Sequence, residues 1–291
     1  HQTPCVPPSS RARCSSWQVL FKQVRQDSRA LVMLLTPPFS PTLASPKARR
    51  SRLETTPPPV TLYISTPSPK NSRAKPREKD AILLLTDVFG LKLPENRLLA
   101  DSFARAGYLT VVPDLFAGSP APADINDPSN ANFSIPEFLA RHTPAVTDPI
   151  ISSTISYIRS TLNINQIAAA GYCFGGKYAF RVINPANSTT GIGGANVAFA
   201  AHPSLLTDEE IAGITKPVAV AAADRDELLT AAQRANLERL LLEKGERYLV
   251  ATYGQTPHGF AVRANYSVAS EKFGKEGAFL QAVGWFDEVL L

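Results

Sequence analysis

Several patterns that mark common classes of protein are missing from this chain of 291 residues. Its three cysteines are too few for a disulfide framework, and no cysteines or histidines have the spacing of metal ligands. No glycine-rich motif for binding a dinucleotide or a phosphate is present. The apolar run at residues 30–35 is far too short to span a bilayer. We therefore expect no metal, no cofactor and no membrane association.

The basic charge of the chain is confined to its first part. Residues 1–80 hold 13 of the 25 prolines and carry 14 Lys and Arg against 4 Asp and Glu, a net charge of +10. Since the whole chain carries +5, residues 81–291 carry −5. A basic, proline-rich segment is typical of a solvated arm. We predict a disordered or aberrant arm at residues 1–58 and expect no nucleic-acid partner.

The same composition bears on the cellular compartment. The low cysteine content and the lack of a recognisable secretory signal favour a cytoplasmic protein. A basic, serine-rich arm with few acidic residues is also the composition of a mitochondrial presequence. The cytoplasm is therefore our expectation, and the mitochondrion is the alternative.

Residues 59–291 alternate short apolar runs with longer amphipathic stretches. The apolar runs predict strands at 60–65, 81–86, 108–112, 167–170, 197–201, 217–223 and 247–252. The amphipathic stretches predict helices at 94–106, 148–161, 230–244 and 273–289. This alternation predicts one α/β domain with a mainly parallel sheet and helices on both faces. Catalytic loops are then expected at the carboxyl ends of the strands.

The most informative motif follows the predicted strand at 167–170 and reads Gly171-Tyr172-Cys173-Phe174-Gly175-Gly176. A nucleophile on a sharp strand-to-helix turn has a strained backbone, and its neighbours must lack side chains to avoid collision. The motif therefore predicts a nucleophile elbow with Cys173 as the nucleophile. The helix N-terminus behind it favours a thiolate. A buried structural cysteine and a redox-active cysteine are the alternatives.

An elbow nucleophile needs an orienting carboxylate and a histidine base, which follow it in that order along the chain. Among the four histidines, His258 lies in a Pro-His-Gly loop just after a predicted strand. The preceding apolar run at 217–223 ends in two aspartates, Asp224 and Asp226, and spacing alone does not choose between them. His202 follows another predicted strand, where it either lines the pocket or bonds to the backbone.

Together these motifs resemble the dienelactone hydrolase family, and most of all its fungal branch. The resemblance covers roughly residues 60–291. It rests on four segments in the order of the family: Thr86-Asp87-Val88-Phe89-Gly90, Gly171–Gly176, Asp226–Thr230 and His258–Arg263. It implies an α/β-hydrolase fold and a monomer that hydrolyses a small-molecule ester or lactone.

The resemblance also implies a role for each member of a catalytic triad. Cys173 would be the nucleophile and His258 the general base. Asp226 would orient the histidine, because its spacing to Thr230 is closer to the family pattern than that of Asp224. A catalytically silent relative that only binds a ligand or a partner is the competing hypothesis.

Three further roles follow from the same resemblance. The backbone amides of Val88 and Phe174 would form the oxyanion hole. Asp87 would accept the thiol proton when substrate binds. Bacterial members carry Glu at this position, so the aspartate reaches one methylene less far.

Tyr172, His202 and Arg263 are the candidates for substrate binding. Bacterial relatives hold a substrate carboxylate with an arginine four residues after the catalytic histidine. Here that position is Val262, and the arginine follows one residue later. Alternation along an extended segment would turn Arg263 to the opposite side, so a neutral substrate is an alternative to an anionic one.

Overall fold

The computed structural model describes residues 47–53, 60–68, 79–125 and 127–290. Eight strands form one sheet in this part of the chain. They are β1 (Lys47–Leu53), β2 (Val60–Thr66), β3 (Asp80–Leu85), β4 (Leu109–Pro113), β5 (Gln166–Tyr172), β6 (Val197–Ala201), β7 (Val218–Arg225) and β8 (Tyr248–Pro257). Their spatial order is β1-β2-β4-β3-β5-β6-β7-β8. The β1–β2 and β2–β4 pairs are antiparallel, and all other neighbours are parallel.

Eight α-helices accompany the sheet in the same described part. They are α1 (Pro94–Arg105), α2 (Ile135–Arg141), α3 (Pro144–Ser160), α4 (Phe174–Arg181), α5 (Asp208–Ala212), α6 (Ala231–Lys244), α7 (Phe260–Arg263) and α8 (Ala269–Val289). Short 3₁₀ turns lie at Gly90–Lys92 and Pro128–Asn130. None of these described helices is long and apolar enough to cross a membrane.

The hydrophobic core lies along the central parallel strands. Every residue of β3 and of β6 is buried, as expected for strands with both faces covered. Alanines make up much of β5, β6 and β7, and their small side chains let the flanking helices approach the sheet closely. The predicted α/β class, with a mainly parallel sheet, is confirmed.

The seven predicted strands and four predicted helices all exist, and the main differences lie at boundaries and in short elements. The helix predicted from residue 148 begins instead at Pro144, and Pro149 lies inside it. Proline is favourable at the first position of a helix and unfavourable inside one. Pro149 therefore suggested that the helix begins next to it, whereas Pro144 is the true first residue. The sequence analysis missed the short helices α2, α5 and α7.

A strand that the sequence did not predict lies inside the segment assigned to the arm, 1–58. β1 pairs antiparallel with β2 from Lys47↔Thr66 to Leu53↔Val60. Four of its seven residues are Lys or Arg, so it has no apolar alternation to detect, a composition typical of edge strands. The boundary at residue 58 is therefore corrected to lie before residue 47. Residues 1–46 lie outside the described residues, and the arm there stays a prediction.

A buried ionic cluster joins the elbow helix α4 to two neighbouring helices. Arg181 donates to Asp148 at 3.0 Å and to Glu210 at 2.8 Å. Lys177 lies 3.2 Å from the same Glu210 carboxylate. The side chains of Arg181 and Glu210 are 6% and 2% exposed, so each charge depends on its partners. The cluster links α4 to α3 through Asp148 and to α5 through Glu210.

We expect Arg181→Leu to lower the free energy of unfolding by about 3–5 kcal/mol, because it leaves Asp148 without its cation and the buried Glu210 with Lys177 alone. Arg239→Leu is the matched control, since it breaks the exposed ion pair with Glu243. That change should stay within about 0.5 kcal/mol of wild type. Denaturant unfolding of both variants measures the difference, and equal losses would contradict a stabilising role for the buried cluster.

Candidate active site

The turn between β5 and α4 holds Cys173 in a left-handed backbone conformation, with φ of 51°. Such a conformation costs a non-glycine residue about 1–3 kcal/mol and persists only where the surroundings impose it. Here the Cys173 amide donates to Ala201 O at 3.1 Å, and its carbonyl accepts from the amides of Gly176 and Ser204 at 2.9 and 3.1 Å. This is the geometry of a nucleophile elbow, and the cysteine is 6% exposed.

The glycines of the motif are required by contacts of the backbone with itself. A Cβ at Gly171 would overlap the carbonyl oxygen of Gly175, and a Cβ at Gly175 would overlap the carbonyl oxygen of Leu85. The Gly175 amide instead donates to Thr86 O at 3.0 Å. The end of β3 is thereby held directly against the elbow.

The loops after β7 and β8 bring Asp226 and His258 together. Asp226 is 6% exposed, and its Oδ1 accepts hydrogen bonds from two backbone amides at 2.8 and 3.1 Å. The Nδ1 atom of His258 lies 3.0 Å from Oδ1 and 2.9 Å from Oδ2 of this carboxylate. Asp224 is exposed and bonds only to a backbone amide at 3.2 Å among the described residues. The partner of the histidine is therefore Asp226.

The surroundings of His258 favour its protonated form. Burial lowers the pKa of the imidazole, but the hydrogen bond to Asp226 and the neighbouring Cys173 outweigh it and raise the pKa to about 9. The contact with Asp226 fixes the neutral tautomer with its proton on Nδ1. The other ring nitrogen, Nε2, is buried and makes no hydrogen bond to a described residue, so it is available for proton transfer.

Two backbone amides, at the carboxyl ends of β3 and β5, make no hydrogen bond to a described residue and are available to another acceptor. Phe174 is the first residue of α4, so its amide has no acceptor within the helix. Val88 lies in the turn after β3, and its amide donates to no described residue. The Val88 carbonyl is held by the Ala121 amide at 2.9 Å. Both predicted oxyanion-hole residues therefore lie at the carboxyl ends of neighbouring strands with free donors.

Asp87 is fully buried and has partners other than the thiol. Its Oδ1 accepts from the side-chain amide of Asn96 at 2.8 Å and from the Phe89 amide at 3.2 Å. Its Oδ2 lies 3.4 Å from Nε of Arg263. Burial raises the pKa of Asp87, although Asn96 and Arg263 oppose this shift. No hydrogen bond joins Asp87 to Cys173 among the described residues.

The structure corrects the expected direction of Arg263. The segment is not extended but forms the short helix α7, which Gly259 starts with a φ of 89°. The helix returns Arg263 to the site, where its guanidinium lies over the Phe89 ring at 4.6 Å and pairs with Asp87. A Cβ at Gly259 would overlap this guanidinium. Alternation was the wrong rule here because the period of the segment is helical.

The His202 ring lies beside His258, and the Tyr172 ring lies beside His202. The His202 ring contacts the His258 ring edge-on, with centroids 4.9 Å apart, and the Tyr172 ring at 6.2 Å. Both side chains are buried, and neither the His202 ring nitrogens nor the Tyr172 hydroxyl bond to a described residue. The alternative in which His202 bonds to the backbone stays a prediction. Burial lowers its pKa, helped by His258 and Arg263, and substrate contact by these two residues stays a prediction.

Ser204 is a contact of the nucleophile that the sequence analysis did not assign. Its hydroxyl lies 3.7 Å from the Cys173 sulfur, and its amide donates to the Cys173 carbonyl. Ser204 is 4% exposed, so the hydroxyl has little access to water. The signal in the sequence was its place just after β6, which neighbours the elbow strand in the sheet.

An aromatic cluster packs against the oxyanion residue Phe174. Its ring lies 5.3 Å from Phe116 and 5.0 Å from Tyr178. Phe116 in turn contacts Phe138 at 5.3 Å and His142 at 5.0 Å. These long-range contacts come from the connection between β4 and α3, which sequence periodicity did not resolve. No group of three or more potential metal ligands occurs among the described residues.

A parallel sheet whose elbow presents a cysteine beside a His–Asp pair defines the α/β-hydrolase class. Comparison with known sequences gives the family. The profile of the dienelactone hydrolase family matches residues 68–290, and the chain belongs to this family. The family predicted from the motifs is confirmed, and membership assigns the protein to the hydrolases of the ester and lactone type.

Relatives of known sequence and structure agree with this assignment. The chain is 37% identical over 231 residues to the hydrolase pyvD of Aspergillus violaceofuscus, covering 79% of this chain and 87% of that protein. It is 34% identical over 239 residues to the hydrolase tropI of Talaromyces stipitatus, with the same coverage. A dienelactone hydrolase-like promiscuous phosphotriesterase from metagenomic libraries shares the fold, with a TM-score of 0.65, 14% identity and coverage of 84% and 99%.

We expect the His258 ring to lose its proton near pH 9 in the wild type and at a lower pH in Asp226→Asn. The asparagine amide carries no negative charge to offset burial, so the neutral form of the imidazole becomes more favourable and the pKa falls. Asp224→Asn is the control, because that exposed carboxylate does not contact the ring. Nuclear magnetic resonance of the histidine ring, assigned with His258→Gln, gives the titration. A midpoint unchanged in Asp226→Asn would contradict the pairing.

We expect Ser204→Ala to slow alkylation of Cys173 by iodoacetamide at pH 7 about three- to tenfold, the effect of one hydrogen bond worth about 1 kcal/mol. The lost hydroxyl no longer donates to the thiolate. Ser204→Thr keeps the hydroxyl and should restore most of the rate. Ser160→Ala, on an exposed helix surface, is the neutral control. Equal rates in Ser204→Ala and wild type would exclude this role.

Proposed function

We propose that the protein hydrolyses a small-molecule ester or lactone by transferring the acyl group first to Cys173 and then to water. The observation that carries this proposal is a strained, buried thiol beside the imidazole of His258. The Nδ1 atom of that ring lies within hydrogen-bonding distance of both oxygens of Asp226. The free amides of Val88 and Phe174 support it further. A structural cysteine needs none of these features.

In the acylation step, the Cys173 thiolate attacks the carbonyl carbon and forms a carbon–sulfur bond. The negative charge moves to the carbonyl oxygen, where the amides of Val88 and Phe174 donate hydrogen bonds. Each such donor is worth about 3 kcal/mol of barrier. The carbon–oxygen bond then breaks, and the imidazolium of His258 gives its proton to the alkoxide. In a lactone the alcohol stays tethered, so the product is a ring-opened hydroxy or keto acid.

In the deacylation step, water attacks the thioester while His258 Nε2 takes a proton from it. The carbon–sulfur bond breaks, the acid leaves and the thiolate is restored next to the imidazolium. The thioester carries no charge on sulfur, so one of the influences that raise the His258 pKa is gone at this stage. A larger fraction of the histidine is therefore neutral at neutral pH in the acyl-enzyme than beside the thiolate, and the neutral form accepts the proton from water.

Asp87 is proposed to accept the thiol proton when substrate binds and to return it to the Cys173 thiolate after the acid has left. Its burial raises its pKa and makes it a stronger base than an exposed aspartate. Arg263 holds Oδ2 in the free protein. A substrate group that draws the guanidinium away would release this oxygen toward the thiol. Cytoplasmic location and a monomeric state stay predictions.

The test compares the full chain with Cys173→Ala on two substrates, p-nitrophenyl acetate and an unsaturated five-membered lactone. We expect the wild type to turn over at least one of them and the variant to lose about 10³-fold or more. Mass spectrometry of the quenched wild type should show the acyl group on Cys173. The variant keeps Cys5 and Cys14, which controls for non-specific thiol reactions.

Two outcomes would overturn the proposal. Undiminished turnover by folded Cys173→Ala would place the nucleophile elsewhere. Failure of both substrates, with Cys173 readily alkylated in the wild type, would favour a ligand-binding or redox role for the cysteine.

A further inference from the structure

A cavity of about 510 Å³ lies beside the loop that follows β3. Its apolar walls come from aromatic, leucine and proline side chains: Phe89, Leu93, Pro120, Pro122 and Phe133. Lys92, Asn130 and Asn132 also line it. This volume falls in the range of small-molecule sites, which are mostly apolar with a few placed polar groups. It is much larger than a five-membered lactone requires.

The cavity shares a wall with the candidate active site. Phe89 lines the cavity, and its ring also lies 4.6 Å from the Arg263 guanidinium. Its amide donates to Asp87 at 3.2 Å. On the second wall, the Ala121 amide bonds to the carbonyl of the oxyanion residue Val88. The cavity lining is therefore joined to the candidate site through the Phe89–Asp87 and Ala121–Val88 hydrogen bonds.

The candidate active site and the cavity differ in whether their cation is available to bind a ligand anion. Arg263 is paired with buried Asp87, so its charge is largely neutralised. Lys92 is exposed and forms no ion pair with a described residue. A negatively charged substituent that reaches the cavity would meet Lys92 together with two side-chain amides. The half-buried Phe133 ring of the lining is suited to contact an aromatic ring beside that substituent.

We propose that this cavity, defined by Phe89, Lys92, Leu93, Pro120, Pro122 and Phe133, binds an aryl group of the substrate that carries an acidic oxygen. The inference rests on the proposed hydrolysis and adds its substrate class: an aryl-substituted ester or lactone with a carboxylate or phenol at the far end. The scissile carbonyl lies at Cys173, and Phe89 separates the two ends of the substrate.

The test compares the parent five-membered unsaturated lactone with its 3-phenyl and 5-phenyl isomers, which carry the ring on the acyl or the alkoxy side. We expect at least one isomer to have a higher kcat/KM than the parent. Ala123→Phe places a ring in the cavity from an exposed position of its lining. It should lower kcat/KM for that isomer about tenfold or more and leave the parent lactone unchanged. Ala131→Phe, exposed but outside the lining, is the matched control.

A carboxyl group on the phenyl ring tests the role of Lys92. We expect Lys92→Gln to lower kcat/KM for the carboxyphenyl lactone about three- to fivefold, the effect of one exposed charge pair, and to leave the phenyl lactone unchanged. The difference should shrink at high salt. Lys244→Gln, at the end of α6, controls for a change in net charge.

The parent lactone distinguishes a failure of the proposed hydrolysis from a failure of the proposed substrate class. If the wild type does not turn it over, the proposed hydrolysis fails first. If the parent is turned over but neither phenyl isomer is preferred, the cavity does not serve the substrate. Persistence of the preference in Ala123→Phe, or an equal loss in Ala131→Phe, would also overturn the inference. An equal effect of Lys92→Gln on the phenyl and carboxyphenyl lactones would remove the acidic oxygen from the proposal.

Discussion

The contact between the elbow helix and the end of β3 is the constraint on which the site depends. Gly175 approaches Leu85 so closely that no side chain fits, and its amide bonds to Thr86 O at 3.0 Å. This contact fixes the end of β3, and Val88 follows Thr86 by two residues. Both amides proposed for the oxyanion hole belong to the backbone of the sheet and its helix, so the fold itself holds these two donors. The strained Cys173 is held by the same framework.

Burial gives the charges of the site their effect. Asp226 has amides on one side and His258 on the other, so its charge is stabilised and directed at a single ring. Asp87 is equally buried, but its charge is balanced by the guanidinium of Arg263 and not by a histidine. Two carboxylates in one region therefore differ in role because their partners differ. The buried charges around Arg181 in α4 are paired in a similar way, and their role is structural only.

How much the sequence predicts depends on whether the determinant is local. Glycines and apolar runs are local signals, so the elbow, the central strands and the position of His258 followed from them. The choice between Asp224 and Asp226 needed the fold, because both leave the same strand and only one turns inward. β1 was missed because its stability comes from pairing with β2 and not from its own basic residues. Ser204 was missed because its contact with Cys173 joins residues 31 positions apart.

Arg263 shows why substrate recognition is the part least accessible to sequence reasoning. Arg263 follows His258 by five residues and not by four, which suggested that its side chain turns away from the site. A four-residue helix instead brings it to Asp87. Its charge is then shared with an internal carboxylate, so it is a weaker anchor for a substrate anion than an unpaired arginine would be. Lys92 is an exposed cation that forms no ion pair with a described residue, and it lines the apolar cavity on the far side of Phe89. The residues proposed to perform the chemistry are thus distinct from those proposed to select the substrate.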